Sequence, residues 1–377
     1  MTKAQRAIPS VYMRGGTSRA LFFHEHDLHP GADNRDPIFC AALGSPDPYE
    51  RQLDGMGGGI TSLSKVAVIG PPTHPGAQVD YTFVQVDPRR GSVGYRGNCG
   101  NISAAVAPFA LEEGLVESTG EETSVVIHNT NTKKLIRARF KTIDGFAAVK
   151  GDFRLDGVAG SGSPIELAFL DPGGAATGKL LPTGRTREHL TLASLGEVEV
   201  SLVDACNPVV MVEAQSLGLT GVETPAELAS NSRALDLFEE LRVQAALAMG
   251  LVTDPADART KLTNLPLVAV LSKPAIVREG TQPHVVVRMI SSGQPHKASP
   301  LTGAMCLAIA AQIDDTVVAR IRMPQSGDER RFIVAHASGL LPVAALVDKL
   351  ESGYDAREAI VYRTARRLMD GRVYIPN

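Results

Sequence analysis

The sequence predicts an α+β protein of two similar domains, each a curved mixed β-sheet wrapped around a central apolar helix. Three observations favour this fold class. Short β-branched runs outnumber helical repeats, two helices share an unusual small-residue composition, and 44% of the 377 residues are apolar while 21% are charged. With 36 glycines and 24 prolines, the chain is rich in turns without being of low complexity.

Strands are expected wherever β-branched runs are bounded by Gly, Pro or Asp. They are 79–86, 124–127, 136–140, 198–203, 209–213, 284–290 and 331–335. Helical periodicity is limited to 101–115, 225–249, 303–313 and 355–369. The arginines within 363–367 are expected to form the exposed face of the last helix.

Two of the expected helices resemble each other, which indicates an internal repeat. When 99–107 is set against 302–310, Gly100 aligns with Gly303 and apolar residues align after them. Helices so free of charge are expected to be surrounded by sheet. Chance is the alternative, because Ala and Gly are common residues.

The domain limits follow from this repeat. A turn at 181–184 separates the halves, so we place the N-terminal domain at 1–185 and the C-terminal domain at 186–369. The last segment, 370–377, is expected to return to the N-terminal domain as a strand.

Charge and apolar patterning exclude several partners. Basic residues number 38 and acidic residues 41, so the net charge of −3 gives no field to attract nucleic acid or an anionic membrane. No apolar run approaches the roughly 18 residues of a membrane span, and no signal peptide core is present, so a cytoplasmic location is expected. The four cysteines form no CxxC pair and are expected to be free thiols.

The segment Asn98–Asn101 precedes the first apolar helix and is a candidate site. Free amides at a helix start, here those of Gly100 and Asn101, can hold a carboxylate. The same field favours a thiolate, which makes Cys99 a candidate acid or base. The alternative is that Asn98 or Asn101 caps the helix while Cys99 packs as a small apolar residue.

A second candidate is Lys65, which follows three consecutive glycines and several hydroxyl residues that include Ser64. Glycines allow close approach of a ligand, and burial at a strand start would lower the lysine pKa toward that of a useful base. The Walker A spacing is absent, so nucleotide phosphate is not the expected ligand. The alternative is an ordinary surface lysine.

Two further segments carry groups suited to anions. Arg14 could clamp a carboxylate while Thr17 and Ser18 donate hydrogen bonds, although a structural turn is the alternative. In the other half, a basic pair and two helix-start residues form a comparable group: His296, Lys297, Thr302 and Gly303. The histidines at 24–26 have no third ligand nearby, so no metal site is expected.

Read together, several motifs resemble one family over nearly the whole chain. They lie at 14–18 (Arg-Gly-Gly-Thr-Ser), 44–48, 52–58, 64–66, 79–81, 97–103, 128–132 (His-Asn-Thr-Asn-Thr), 181–184, 204–208 and 362–371. This set resembles the PrpF family of 2-methylaconitate isomerases, whose relatives include aconitate and methylitaconate Δ-isomerases and 4-oxalomesaconate tautomerases. The 128–132 stretch is more similar to the first two groups than to the tautomerases.

The resemblance implies a diaminopimelate-epimerase-like fold with the site in the cleft between the domains. It implies that Lys65 is the principal proton carrier and Cys99 the second. Arg19 stands where lysine is usual, and Ala107 where glycine is usual, which bears on substrate choice more than on reaction type. Thr302 aligns with Cys99, so a two-thiol racemase is disfavoured.

The expected function is cofactor-independent isomerisation of a C=C bond in an unsaturated di- or tricarboxylate, by proton removal and return. No metal, nicotinamide or flavin is required. A keto-enol tautomerase and a non-catalytic carboxylate-binding accessory protein are the alternatives. The expected partners are a small unsaturated polycarboxylate and further copies of the chain in a homo-oligomer, without nucleic acid or membrane.

Overall fold

The computed structural model describes residues 4–95, 99–274, 281–324 and 329–377. The chain forms two compact units. The first unit is Met1–Phe169 with Tyr362–Asn377, and the second unit is Leu170–Val361. The sequence analysis divided the chain at 185/186 and 369/370 instead.

The described elements are nineteen strands and seven α-helices. The strands are β1 Gln5–Gly15, β2 Ser18–His24, β3 Lys65–Gly70, β4 Val79–Val86, β5 Val93–Gly94, β6 Glu122–Asn129, β7 Lys134–Ile143, β8 Phe146–Ala147, β9 Ile165–Leu170, β10 Glu188–Leu192, β11 Gly196–Ala205, β12 Asn207–Glu213, β13 Leu267–Ser272, β14 Val285–Ser291, β15 Gln294–Pro295, β16 Arg331–His336, β17 Gly339–Leu350, β18 Gly353–Arg363 and β19 Ala365–Pro376. The helices are α1 Ala32–Leu43, α2 Gly100–Glu112, α3 Pro225–Ser230, α4 Ser232–Ala248, α5 Pro255–Thr260, α6 Leu301–Ala310 and α7 Val317–Ile321.

Strand pairing follows the same succession in both units. In the first unit, β1–β2, β3–β4 and β6–β7 are antiparallel, whereas β2–β3 and β4–β6 are parallel. In the second unit, β11–β12, β13–β14 and β16–β17 are antiparallel, whereas β12–β13 and β14–β16 are parallel. The internal repeat expected from two similar helices therefore extends to the sheets.

Each unit surrounds one central helix with sheet. Residues 102–111 of α2 are all buried, and this helix contacts β1, β2, β3, β6 and β19. Residues 303–310 of α6 are likewise buried against β11, β12, β16 and β17. Small side chains allow a helix to be covered on nearly all sides, so the absence of charged residues from 102–111 and from 303–310 has a packing cause.

The expected helix at 355–369 is wrong. This segment forms the end of β18 and the start of β19. The β19 strand pairs antiparallel with β1 along its whole length, from Gln5 opposite Pro376 to Gly15 opposite Ala365. Pairing between residues so far apart in sequence overrides a local helical spacing.

The other helices differ from expectation mainly at their ends. The segment 225–249 is two helices, because Asn231 ends α3 and caps α4 through a bond from the Ala234 amide. Helix α6 begins at Leu301, two residues before the expected start at Gly303. The strands expected at 79–86, 209–213 and 331–335 lie within β4, β12 and β16.

Candidate active site

Lys65 begins β3 of the first unit and is buried, with 8% of its surface exposed. Its Nζ donates to Gln85 Oε1 and lies 5.1 Å from the centre of the Phe83 ring. Burial lowers the pKa of Lys65, and a thiolate at Cys99 acts in the opposite direction. Among the described residues, no carboxylate pairs with this amine. The site therefore favours the neutral amine more than water does.

Gln85 is fixed in place by the backbone around it. Its Nε2 donates to the carbonyl oxygens of Thr61 and Ser64, each at 3.0 Å, which turns its Oε1 toward Lys65. The Ser64 hydroxyl accepts from Gln52 Nε2 at 2.9 Å and is fully buried. Ser64, expected to bind substrate, thus supports the lysine from within the protein. Gln85 was not among the residues singled out from the sequence.

Cys99 stands at the N-cap of α2, where its half-exposed thiol is free. Its carbonyl accepts bonds from the amide and the hydroxyl of Ser103, at 2.9 and 3.0 Å. Its side chain makes no capping bond. The first helix amides, those of Gly100 and Asn101, have no partner within the helix and remain able to meet negative charge. Asn98 lies outside the described residues.

The β1–β2 turn lies against this helix start. A Cβ at Gly15 or Gly16 would overlap Asn101, and Gly16 also has a φ of +51°, so both positions require glycine. The Asn101 Nδ2 donates to Thr17 Oγ1 at 3.1 Å. Ser18 is buried at the start of β2, on the same face as Ala20, which lies opposite Lys65 in the parallel pair. The structure thus brings this turn to the helix start.

Arg363 is a candidate that the sequence analysis missed. It is 7% exposed, and its Nε donates to Asn101 Oδ1 at 3.0 Å while Nη1 donates to the Tyr362 carbonyl at 2.8 Å. Burial lowers the pKa of Arg363 to about 10, and a Cys99 thiolate opposes that shift. The sequence pattern placed Arg363 on the exposed face of an expected helix, so it was not considered as a buried site residue. The β-branched pair Ile360 and Val361 just before it was the available signal for a strand.

Arg14 donates from Nη1 to the Gly16 carbonyl of the β1–β2 turn at 2.9 Å, but its side chain leaves β1 on the face opposite that of Lys65. Tyr12 and Val66 pack in one apolar cluster. Side chains alternate along strands, so Arg14 shares the Tyr12 face while Lys65 takes the opposite one. The Nη1 of Arg14 donates to Thr364 Oγ1 at 2.9 Å and to the Thr364 carbonyl at 3.0 Å. The structure does not bring Arg14 together with Lys65, as a carboxylate clamp at the catalytic lysine would need.

The basic pair of the second unit, His296 and Lys297, directly follows the hairpin formed by β14 and β15. His296 Nε2 lies 2.7 Å from Ser291 Oγ, and burial lowers the pKa of His296. Lys297 is exposed, and its carbonyl accepts from Ser338 Oγ at 2.6 Å. Both side chains remain candidates for holding an anion.

The start of α6 differs from that of α2. Thr302 Oγ1 accepts from Asn207 Nδ2 at 2.8 Å. Gly303 is buried, and a Cβ there would lie 2.7 Å from Met289 Cε. Because α6 begins before both residues, Thr302 lies inside the first turn and is not the cap that Cys99 is in the first unit.

The described residues contain no group of three or more His, Cys, Asp or Glu side chains that could hold a metal ion. His24 instead contacts Glu113 at 2.9 Å. None of the four cysteines forms a disulfide. Over the same described parts of the chain, no helix has both the length and the apolar character needed to cross a bilayer.

Comparison with known proteins matches residues 5–376 to the family described as PrpF protein. The chain belongs to the PrpF family. It is 39% identical over 379 residues to 3-methylitaconate isomerase of Eubacterium barkeri, an alignment that covers 98% of each chain. It is 35% identical over 391 residues to 2-methyl-aconitate isomerase of Cupriavidus necator, covering 99% of this chain and 98% of the relative.

One further relative is named for a different reaction, and one solved structure shares the fold. The chain is 38% identical over 371 residues to 4-oxalomesaconate tautomerase of Pseudomonas putida, covering 98% of this chain and 97% of the relative. A crystal structure of methylitaconate Δ-isomerase superposes with a TM-score of 0.91 at 39% identity, covering 99% of this chain and 97% of that one. The predicted family and fold class are confirmed. Since identity to the tautomerase is nearly as high, overall similarity does not select the substrate.

Proposed function

We propose that this PrpF-family protein is an isomerase that shifts or cis-trans isomerises the C=C bond of an unsaturated di- or tricarboxylate of the 2-methylaconitate, aconitate or methylitaconate type. Two relatives named for such reactions support this. The observation that carries the proposal is the buried amine of Lys65, which is held by a neutral amide and influenced by Cys99. A lysine in such a place is suited to act as a base.

The first step removes a proton from the substrate. The neutral Lys65 amine takes a proton from a carbon next to the double bond, so a C–H bond breaks and an N–H bond forms. The electron pair of the C–H bond spreads over the double bond and the carboxylate as a dienolate. The pKa of Lys65 matters here, because a lysine with an ordinary value would be almost wholly protonated near neutral pH.

The dienolate is stabilised by groups at the start of α2. The amides of Gly100 and Asn101 face the developing charge as hydrogen-bond donors. Arg363 holds a substrate carboxylate, because its cation is buried next to Asn101 and has no acidic partner among the described residues. Thr17 and Ser18 supply hydroxyls on the same side.

The second step returns the proton at another carbon or after rotation. The Lys65 ammonium or the Cys99 thiol delivers it, and the C=C bond re-forms in its new position or configuration. Two proton carriers of different strength suit removal at one atom and return at another. Neither step changes an oxidation state, and proton removal and return need only the side chains named here. Independence of a cofactor stays a prediction.

The same groups would also serve keto-enol tautomerisation of an oxo-tricarboxylate, which the 38% identity to a tautomerase favours as the second candidate. A change in ultraviolet absorbance when the protein is mixed with an oxo-tricarboxylate would identify tautomerase activity. A non-catalytic accessory role would be indicated if calorimetry showed binding of the unsaturated acids without conversion. Cytoplasmic location, homo-oligomeric assembly and anion binding by His296, Lys297, Thr302 and Gly303 stay predictions.

The base assignment is tested with Lys65→Ala. The wild type and the variant are incubated in deuterium oxide with 2-methylaconitate, methylitaconate, and cis- and trans-aconitate, and deuterium uptake is followed by proton NMR. We expect exchange and isomerisation in the wild type with at least one acid, and a loss of both of about 10³-fold in the variant. Lys141→Ala, an exposed lysine of the same unit, serves as the control. Exchange at the wild-type rate in Lys65→Ala would contradict the assignment.

A further inference from the structure

Three arginines form a row across adjacent strands of the first unit. Arg14 on β1 lies directly opposite Arg19 on β2 and directly opposite Arg366 on β19. Residues directly opposite one another project from the same face with Cβ atoms about 5 Å apart. Like charges at that spacing repel, so a row of this kind is unfavourable unless something negative accompanies it.

No acidic side chain of the described residues accompanies this row. Arg14 bonds only neutral oxygens, those of Gly16 and Thr364. The Arg19 guanidinium lies 5.5 Å from the centre of the Tyr12 ring. Their neighbour Arg367 differs, because it pairs with Glu113 at 2.7 Å and with Glu112 at 3.5 Å, at the end of α2. Among the described residues, Arg367 thus has acidic partners, whereas the three arginines of the row have none.

A cavity of about 170 Å³ adjoins two of these arginines. Its basic lining consists of Arg14, Arg366 and Lys150, and Thr364 contributes a hydroxyl. Residues of the loop at 149–162 form the rest of the lining. The two acids of this loop, Asp152 and Asp156, are exposed and are not among the lining residues. Burial and the neighbouring Arg366 both lower the pKa of Arg14, in the direction expected for a cation that has no acidic partner.

We propose that this arginine cavity is a second anion site, separate from the Lys65 site, which takes a compact dianion such as a phosphate or a short dicarboxylate. Guanidinium groups bind both through paired oxygens. The volume is below the roughly 300 Å³ at which pockets for larger ligands begin, so a small ion fits and a nucleotide does not. Because Arg14 shares the face of Tyr12, the cavity lies on the side of the sheet opposite Lys65.

The site is tested by isothermal titration calorimetry of the full chain at low ionic strength, with inorganic phosphate and with malonate in separate titrations. The test variant is Arg366→Gln. Arg372→Gln removes the same charge from an exposed position on the same strand and serves as the control. We expect at least one of the two anions to bind the wild type and Arg372→Gln equally, and Arg366→Gln about tenfold more weakly.

The two titrations distinguish the sources of the anion. Tighter binding of phosphate would identify a phosphate-type ligand, and tighter binding of malonate a dicarboxylate. Lys65→Ala should retain the binding, since the cavity is separate from the catalytic lysine. Binding of neither anion to the wild type, or equal binding by Arg366→Gln and Arg372→Gln, would overturn the proposal.

Discussion

The two units share a succession of strand pairings and a buried central helix, yet only the first carries the proposed proton-transfer groups. The third strand of each repeat begins at the same topological place, with Lys65 in the first unit and Leu267 in the second. The central helix is capped by Cys99 in one unit and by Pro300 in the other. The repeat thus supplies a scaffold, and the proposed proton chemistry of the first unit depends on single residues at a strand start and a helix cap.

A second comparison concerns Gln78 in the first unit and His284 in the second. Each forms two hydrogen bonds with one strand residue, one through its own amide and one through a side-chain acceptor, and the acceptors differ in chemistry. The amide of Gln78 donates to the Val126 carbonyl at 2.8 Å, and its Oε1 accepts from the Val126 amide at 2.9 Å. In the second unit, the amide of His284 donates to the Ile333 carbonyl at 2.8 Å, and its Nδ1 accepts from the Ile333 amide at 2.9 Å. Only the histidine can lose this acceptor by protonation.

The largest effect expected from this difference is on acid stability. Burial, aided by the charges of Arg322 and Arg331, lowers the pKa of His284 from about 6.5 to about 4. The unfolded chain therefore binds a proton first, and stability is lost as pH falls from about 6.5 to about 4, on the order of 3 kcal/mol in total. We expect His284→Gln to remove most of that loss, as measured by urea unfolding at pH 7.5 and 4.5.

The control for this experiment is His189→Gln, which changes an exposed histidine of the same unit. It should leave the difference in unfolding free energy between the two pH values unchanged. Equal acid sensitivity of His284→Gln and the wild type would show that a glutamine amide oxygen as the acceptor, as at Gln78, does not protect the fold against acid.

The next largest effect is expected at Arg363, for which we propose the role of holding a substrate carboxylate in the first unit. Loss of a charge-assisted hydrogen bond is worth about 2 kcal/mol, or roughly 30-fold. We expect Arg363→Gln to raise KM by about that factor with a smaller change in kcat, measured by steady-state kinetics with the best substrate. Arg363→Lys should recover part of the affinity, whereas Arg372→Gln should match the wild type.

A merely structural role of Arg363 would give another pattern. Its bond to Asn101 would then be the part that matters, and kcat and thermal stability would fall together with little change in KM. Failure of Arg363→Lys to recover any affinity would point the same way.

The smallest effect concerns Gln85, the neutral acceptor for Lys65. Replacing its amide by a carboxylate in Gln85→Glu should raise the pKa of Lys65, because a negative charge favours the ammonium form. Activity needs the free amine, so the rise of rate with pH should move upward by about one pH unit, and activity at lower pH should fall about tenfold. Gln215→Glu, an exposed site in the second unit, should leave the pH profile of kcat/KM unchanged. An unmoved profile in Gln85→Glu would place the base elsewhere.

Local patterns predicted the fold class and singled out Lys65 and Cys99 as candidates, because strand alternation, glycine runs and apolar helix composition can be read from neighbouring residues. Pairing between distant segments was not predictable in this way. The expected helix at 355–369 covered most of Gly353–Arg363 and the start of Ala365–Pro376, strands that pair with distant segments, so Arg363 was missed, whereas 370–377 was expected as a strand that returns to the N-terminal domain. Gln85 was missed because its role depends on a side-chain bond across two strands.

The central claim is that the Lys65 amine loses its proton more readily than an ordinary lysine. It is tested most directly by NMR titration of the side-chain amines in the full chain with isotope-labelled lysine, the Lys65 signal being assigned by its absence from Lys65→Ala. The account predicts a midpoint for Lys65 below the ordinary value of about 10.4. A midpoint at or above that value would contradict it.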